Sequence, residues 1–119
     1  MKQLTILVIE EHADQGITMK RLLERRGYTV ILVVTAETGF DEFTKNPSDV
    51  VITDSNKGTP GMDGEEMAEK IKQISPTTKI VMLTGWDIDS SPFLNMVLHK
   101  PISTDQFEKL LGFIAQPNS

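Results

Sequence analysis

The sequence predicts an α/β fold built on a parallel sheet. Two observations lead there: short apolar runs with almost no polar interruption, and a helix-period segment after each of them. Strands covered by helices on both faces lose the polar alternation of a half-exposed sheet, so continuity of apolar residues marks them. Leu4 to Ile9 is the first such run, and Gln15 to Arg26 follows as a helix closed by Gly27. Tyr28 to Val34 is the second strand, and Ala36 to Asn46 the second helix, stopped by Pro47. Val50 to Thr53 is the third strand. The helix after it, Glu65 to Ile74, ends before Pro76 and aligns Met67, Ile71 and Ile74 as a core stripe. Ile80 to Leu83 is the fourth strand. Behind it Asp87, Asp89, Ser90, Ser91 and Pro92 leave room for only a turn or two of helix before the fifth strand, Met96 to Leu98. The last helix, Thr104 to Ala115, carries the apolar stripe Phe107, Leu110, Leu111 and Ile114, and Ser103 with Gln106 forms a capping box that fixes its start. Strand and helix thus alternate five times. No linker or repeat divides the 119 residues, so one domain spanning 1–119 is expected, with a frayed tail from Gln116.

Composition excludes several classes of function. The chain carries 12 Lys and Arg against 17 Asp and Glu, a net charge of -5, which disfavours direct binding to nucleic acid. It has no cysteine, so disulfides and thiolate metal sites are out. Its apolar runs are too short for a signal peptide or a bilayer span, and the expected compartment is the cytoplasm, without membrane insertion. His12 and His99 are the only histidines, and neither has a second histidine or a cysteine at ligand spacing, so no zinc site is expected and His99 is read as structural. No G-x-S-x-G turn supports a hydrolase.

Polar residues gather where the strands end: Glu10 and Glu11 after the first, Asp54 after the third, Thr84 at the fourth, Lys100 after the fifth. In an open parallel sheet the carboxyl ends of the strands share one rim, where distant residues converge on a ligand. Taken singly, each of these residues has an ordinary explanation as a loop acid, a turn residue, a strand threonine or a surface lysine. Jointly they supply an anionic nucleophile, carboxylates for a hard cation such as Mg²⁺ or Mn²⁺, a hydroxyl donor and an ammonium, the set that phosphoryl transfer onto a carboxylate requires.

The motifs around these residues resemble the receiver domains of two-component response regulators over essentially the full chain. Ile6-Leu7-Val8-Ile9-Glu10-Glu11 is similar to the family's first strand with its acidic pair, and Val51-Ile52-Thr53-Asp54 to the strand bearing the phosphorylated aspartate. Pro60-Gly61-Met62-Asp63-Gly64, Met82-Leu83-Thr84-Gly85 and Lys100-Pro101 match three further family motifs. Thr84-Gly85-Trp86 also resembles receivers attached to hybrid sensor kinases. The resemblance implies a flavodoxin-like sheet in the order 2-1-3-4-5 and an Asp54 that takes a phosphoryl group from a sensor histidine kinase or a phosphotransfer protein. It further implies a metal ion held by Glu10, Glu11, Asp54 and the carbonyl of Asn56, phosphoryl contacts from Thr84 and Lys100, and a switch through Thr84 and position 97. A downstream protein partner follows from it, and a homodimer stays open.

Three departures from the family pattern bear on that expectation. Glu11 stands where an aspartate is usual and carries its carboxylate about 1.5 Å further out, so a weakly held ion is expected. The turn between Asp54 and Pro60 is two residues longer than usual, and it brings in Lys57 as a candidate partner for Asp54. The segment from Thr84 to Lys100 is short, with Val97 where many members place an aromatic ring. These departures motivate a second reading, a receiver that acts through protein contact without phosphorylation. A third reading, a flavin or nucleotide carrier on the same fold, is disfavoured because Glu10-Glu11-His12-Ala13-Asp14 would repel a cofactor phosphate.

Overall fold

The computed structural model describes residues 3–55, 60–88 and 90–117. Five strands, β1 (Thr5–Ile9), β2 (Thr29–Val33), β3 (Val50–Asp54), β4 (Lys79–Thr84) and β5 (Met96–His99), form one sheet in the order β2-β1-β3-β4-β5. All four pairings are parallel. The helices are α1 (Ala13–Arg25), α2 (Ala36–Lys45), α3 (Gly64–Ile74) and α4 (Thr104–Ala115). Flavodoxin-like α/β architecture is therefore what the chain adopts.

Alternation along each strand divides the core in two. Ile6, Val8, Val50, Ile52, Val81, Leu83 and Leu98 face α1 and α4, packing on Leu23, Leu110, Leu111 and Ile114. Leu7, Ile9, Val51 and Ile80 face α2 and α3, packing on Ala36, Phe43, Met67, Ala68 and Ile71. Ile74, expected in this stripe, is 57% exposed at the last position of α3, and the buried stripe is made by Met67, Ala68 and Ile71.

Between β4 and β5 the described residues form bends and a turn and no helix. Three side chains make that shortcut stable. Phe93 and Leu94 pack on the α2/α3 side of the core. Asn95 acts as a surrogate strand residue: its N–H donates to the Ile80 carbonyl and its Oδ1 accepts from Ile80 N, each at 2.8 Å, while Lys72 Nζ donates to the same Oδ1 at 2.8 Å. Asn95→Ala orphans the N–H of fully buried Ile80 but leaves a position that water can reach, so a loss of about 1 kcal/mol is expected, measurable by urea unfolding.

The β4 strand begins one residue before its apolar run, at Lys79, which is 7% exposed. Its ammonium donates to the carbonyls of Phe113, Ile114 and Gln116 at and just past the end of α4, where intrahelical donors run out and Phe113 O has only the Gln116 N–H, and it lies 5.0 Å from the Phe113 ring centroid. A charge at the negative end of a helix is favourably placed, and the lysine ties that helix to the edge of the sheet farthest from the polar rim.

Candidate functional site at the carboxyl rim of the sheet

Strand order and register bring the polar residues together. Glu10 directly follows β1, its N–H still bonded to the Val33 carbonyl. Asp54 closes β3 opposite Leu83, and Thr84 closes β4 opposite His99. Lys100 follows β5, with its N–H on the Thr84 carbonyl at 2.8 Å. Thus four neighbouring strands deliver one polar group each to a single rim, beside the point where the strand order reverses between β1 and β3.

Glu10, Asp54 and Thr84 are 7%, 8% and 0% exposed, so the charges interact with little screening. Lys100 Nζ lies 2.7 Å from Glu10 Oε1 and 3.7 Å from Asp54 Oδ2, and also donates to Gln15 Oε1 at 3.0 Å. The other Glu10 oxygen, Oε2, accepts from the His12 backbone N–H and lies 3.0 Å from His12 Nδ1. Burial pushes the Glu10 carboxyl up, yet the Lys100 ammonium and the two His12 groups outweigh it and hold Glu10 below its ordinary value. Asp54 moves the other way. Burial and the neighbouring Glu10 charge raise it, against the opposing pull of Lys100 and the Ser55 N–H. One carboxylate is therefore compensated and the other carries excess negative charge, which a cation would relieve.

One ligand atom each from Glu10, His12 and Asp54 lie within 4.8 Å of one another. Glu11 is exposed and stands outside this group. Consecutive residues leaving a strand point to opposite sides, so only one of the acidic pair turns inward. His12, passed over for want of a second histidine or a cysteine at ligand spacing, joins the site because its partners are carboxylates. Asn56 and Lys57 lie outside the described residues. Thr84 Oγ1 accepts from the Trp86 N–H at 2.9 Å, leaving its own proton to be donated. Val97 is half-buried in β5, paired with Met82. His99 is exposed on that edge strand.

The far wall of the site is set by glycines and a brace. Gly61, at φ 90°, sits against the Glu37 carboxylate, and Glu37 Oε2 accepts from Met62 N at 3.2 Å. Asp63 and Glu66 form a reciprocal capping box that starts α3, and Gly64 N donates to the Ser55 carbonyl at 2.7 Å. On the other side, a groove of about 810 Å³ between α1 and α4, lined by Met19, Leu22, Ile102 and Phe107, opens onto Glu10, Asp54 and Lys100.

Comparison with known proteins agrees with this geometry. The profile of the response regulator receiver domain family matches residues 6–111. Among curated relatives, the response regulator receiver protein CpdR of Brucella abortus is 30% identical over 81 residues, covering 68% of this chain and 66% of its own. Sporulation initiation phosphotransferase F of Bacillus subtilis is 25% identical over 107 residues, covering 85% of each. The transcriptional regulatory protein RprY of Bacteroides fragilis is 29% identical over 84 residues, and the chain spans only 35% of its length. Among solved structures, a response regulator receiver domain protein from Clostridium thermocellum superposes with a TM-score of 0.81 at 28% identity, covering 93% of each chain. TrrA of Thermotoga maritima, solved in complex with Mg(2+)-BeF, shares the fold with a TM-score of 0.82 at 22% identity, over 94% of this chain and 99% of its own. This chain belongs to the response regulator receiver domain family.

Proposed function

We propose that Asp54 is the phosphoacceptor of a two-component phosphorelay. The convergence of Glu10, Asp54 and Lys100 at one buried rim carries this reading. An Asp54 oxygen attacks the phosphorus of a partner's phosphohistidine, the P–N bond breaks, the departing imidazole nitrogen takes up a proton, and an aspartyl phosphate remains. Thr84 donates its hydroxyl proton to a phosphoryl oxygen, and Lys100, already beside Asp54, pairs with the new charge. The donor chemistry fits a hard divalent cation, since two buried carboxylates share one ammonium. Glu10 and Asp54 would hold Mg²⁺ or Mn²⁺, with the Asn56 carbonyl completing the set and Glu11 acting at most through water; the ion supplies charge neutralisation for the transferred phosphoryl. The TrrA complex with Mg(2+)-BeF supports a metal in this fold.

The donor is a sensor histidine kinase or a phosphotransfer protein, and the output an unnamed protein contact. We place the reaction in the cytoplasm, on one receiver unit spanning 1–119; among the described residues no helix is long and apolar enough to cross a membrane. With Val97 in place of a rotating ring and no helix among the described residues between β4 and β5, movement of Thr84 is passed on by another route than the family's usual one, beginning at the Trp86 N–H that its Oγ1 holds. The same two features, with Glu11 exposed, favour the second reading, a contact module independent of phosphorylation. Incubation with acetyl phosphate and millimolar Mg²⁺ separates the two readings. Intact mass should rise by one phosphoryl group, and Asp54→Asn should abolish the gain; an unmodified wild type would establish the contact module.

A further inference from the structure

We propose that His12 is a ligand in this metal centre, and that the centre therefore prefers an imidazole-seeking divalent cation, represented by Zn²⁺, over Mg²⁺. This rests on the reading of Glu10 and Asp54 as the metal-holding pair and adds to it the identity of the cation.

Placement of His12 is the first support. It occupies the N-cap position of α1 with extended backbone (φ -90°, ψ 109°), and its side chain makes no capping hydrogen bond to the helix. The ring instead lies against Glu10, with Nδ1 3.0 Å from Oε2. Two ligands bound tetrahedrally to a metal at about 2.1 Å are separated by about 3.4 Å, so the imidazole and the carboxylate, now hydrogen-bonded, need part by only about 0.4 Å to become adjacent ligands, the ion taking the place of the shared proton. A carboxylate oxygen of Asp54 completes the triangle. The ring is exposed enough to meet an ion arriving from solvent, since the His12 side chain is 60% exposed.

Donor type is the second support. Glu10 offers only one oxygen, because Oε1 is held by Lys100 at 2.7 Å. Glu11, the other hard oxygen donor near this position, is exposed and outside the group. What this group offers among the described residues is carboxylate oxygen from Glu10 and Asp54 and one ring nitrogen. Mg²⁺ demands near-octahedral oxygen coordination and gains little from imidazole, whereas Zn²⁺ and its neighbours in the first transition row bind imidazole readily and accept low coordination numbers. Both changes act in the same direction.

Calorimetric titration of the untagged protein with Zn²⁺ and with Mg²⁺ tests the proposal. Zn²⁺ should bind about tenfold or more tightly than Mg²⁺. His12→Ala and His12→Gln should each weaken Zn²⁺ by about tenfold or more while leaving Mg²⁺ within about twofold. The glutamine variant retains a donor for Glu10, so its failure to rescue Zn²⁺ separates a ligand from a residue that only orients the carboxylate. His99→Ala should change neither ion. In nitrogen-detected NMR, the ring resonances of His12 and not His99 should move when Zn²⁺ is added. Wild-type Zn²⁺ affinity in His12→Gln, or Mg²⁺ binding as tight as Zn²⁺, overturns the proposal. If Asp54 is phosphorylated with Mg²⁺ and His12 is irrelevant to metal affinity, this inference alone falls; if neither ion binds, the metal-holding pair falls with it.

Discussion

Gly64→Ala is expected to destabilise the protein by about 3 kcal/mol and to slow the proposed phosphorylation of Asp54, although helix propensity alone predicts a gain of about 1 kcal/mol. Gly64 is the first residue of α3, where alanine is ordinarily the better helix former. Here a Cβ would sit 2.4 Å from the Asp54 carbonyl oxygen and 3.2 Å from that of Ser55. Both obstacles are backbone, and backbone in the central part of a sheet cannot swing aside as a side chain does. Relief requires α3 to retreat from the end of β3, which breaks the Gly64 N–H bond to Ser55 at 2.7 Å and displaces the strand end that carries Asp54. Gly112 in α4 is the control. A Cβ there meets nothing within 4 Å, so Gly112→Ala should stabilise by about 0.5–1 kcal/mol through propensity alone. Urea unfolding of both variants checks the pair, and equal behaviour would show that the close approach of α3 to β3 is not the controlling term.

The sheet was legible because its chemistry is written into contiguous residues. Strands covered on both faces must be apolar throughout, and all five were found from that property. Their ends were less legible for a related reason: hydrogen bonding continues after the apolar run stops, so Asp54 and His99 belong to their strands although their side chains look like loop residues. Lys79 was hidden because a charge at the start of a strand is admissible only when distant carbonyls receive it, here those at the end of α4. The connection from β4 to β5 was marked by its polar and turn-forming residues as lacking a full helix, but the role of Asn95 as a stand-in for a strand residue depends on Lys72 and Ile80, which no local pattern links to it. At the site, Glu10, Asp54, Thr84 and Lys100 could be placed on one rim because strand ends converge whatever their separation in sequence. Which member of the acidic pair turns inward could not be placed, since that depends on where the chain leaves the sheet. His12 escaped for the complementary reason: ligand spacing searches for like partners, while this ring meets one carboxylate two residues back and another from a different strand.

Removal of the rim's cation should show how strongly the site is held against its own charge. Lys100→Met keeps much of the apolar stem and deletes the ammonium that lies 2.7 Å from Glu10 and 3.7 Å from Asp54. Losing one partner of a fully buried pair costs about 3–5 kcal/mol; Lys100 is 22% exposed, so water compensates in part and about 2 kcal/mol is expected at pH 7. The pH dependence distinguishes lost charge from lost packing. In the native protein Glu10 is held below its ordinary value of 4.5, so its contribution is fully present above that value and is lost as pH falls through the depressed folded value. Asp54 is raised above 3.8, so its ionisation opposes folding: the penalty is absent below 3.8 and reaches its full size once pH has risen through the folded value. Without Lys100 neither carboxylate retains a nearby ammonium, and protonating one of them relieves the repulsion. The deficit of Lys100→Met relative to the native protein should therefore be largest near neutrality and shrink toward about pH 4, and adding Asp54→Asn should recover more than half of it at pH 7. A deficit constant with pH, unrelieved by Asp54→Asn, would instead assign the loss to packing of the lysine stem. The same charge balance bears on the proposed role of Asp54: a carboxylate fully neutralised by Lys100 would gain nothing from a cation, whereas one left partly uncompensated would gain from a divalent ion, which would also screen an incoming phosphoryl group.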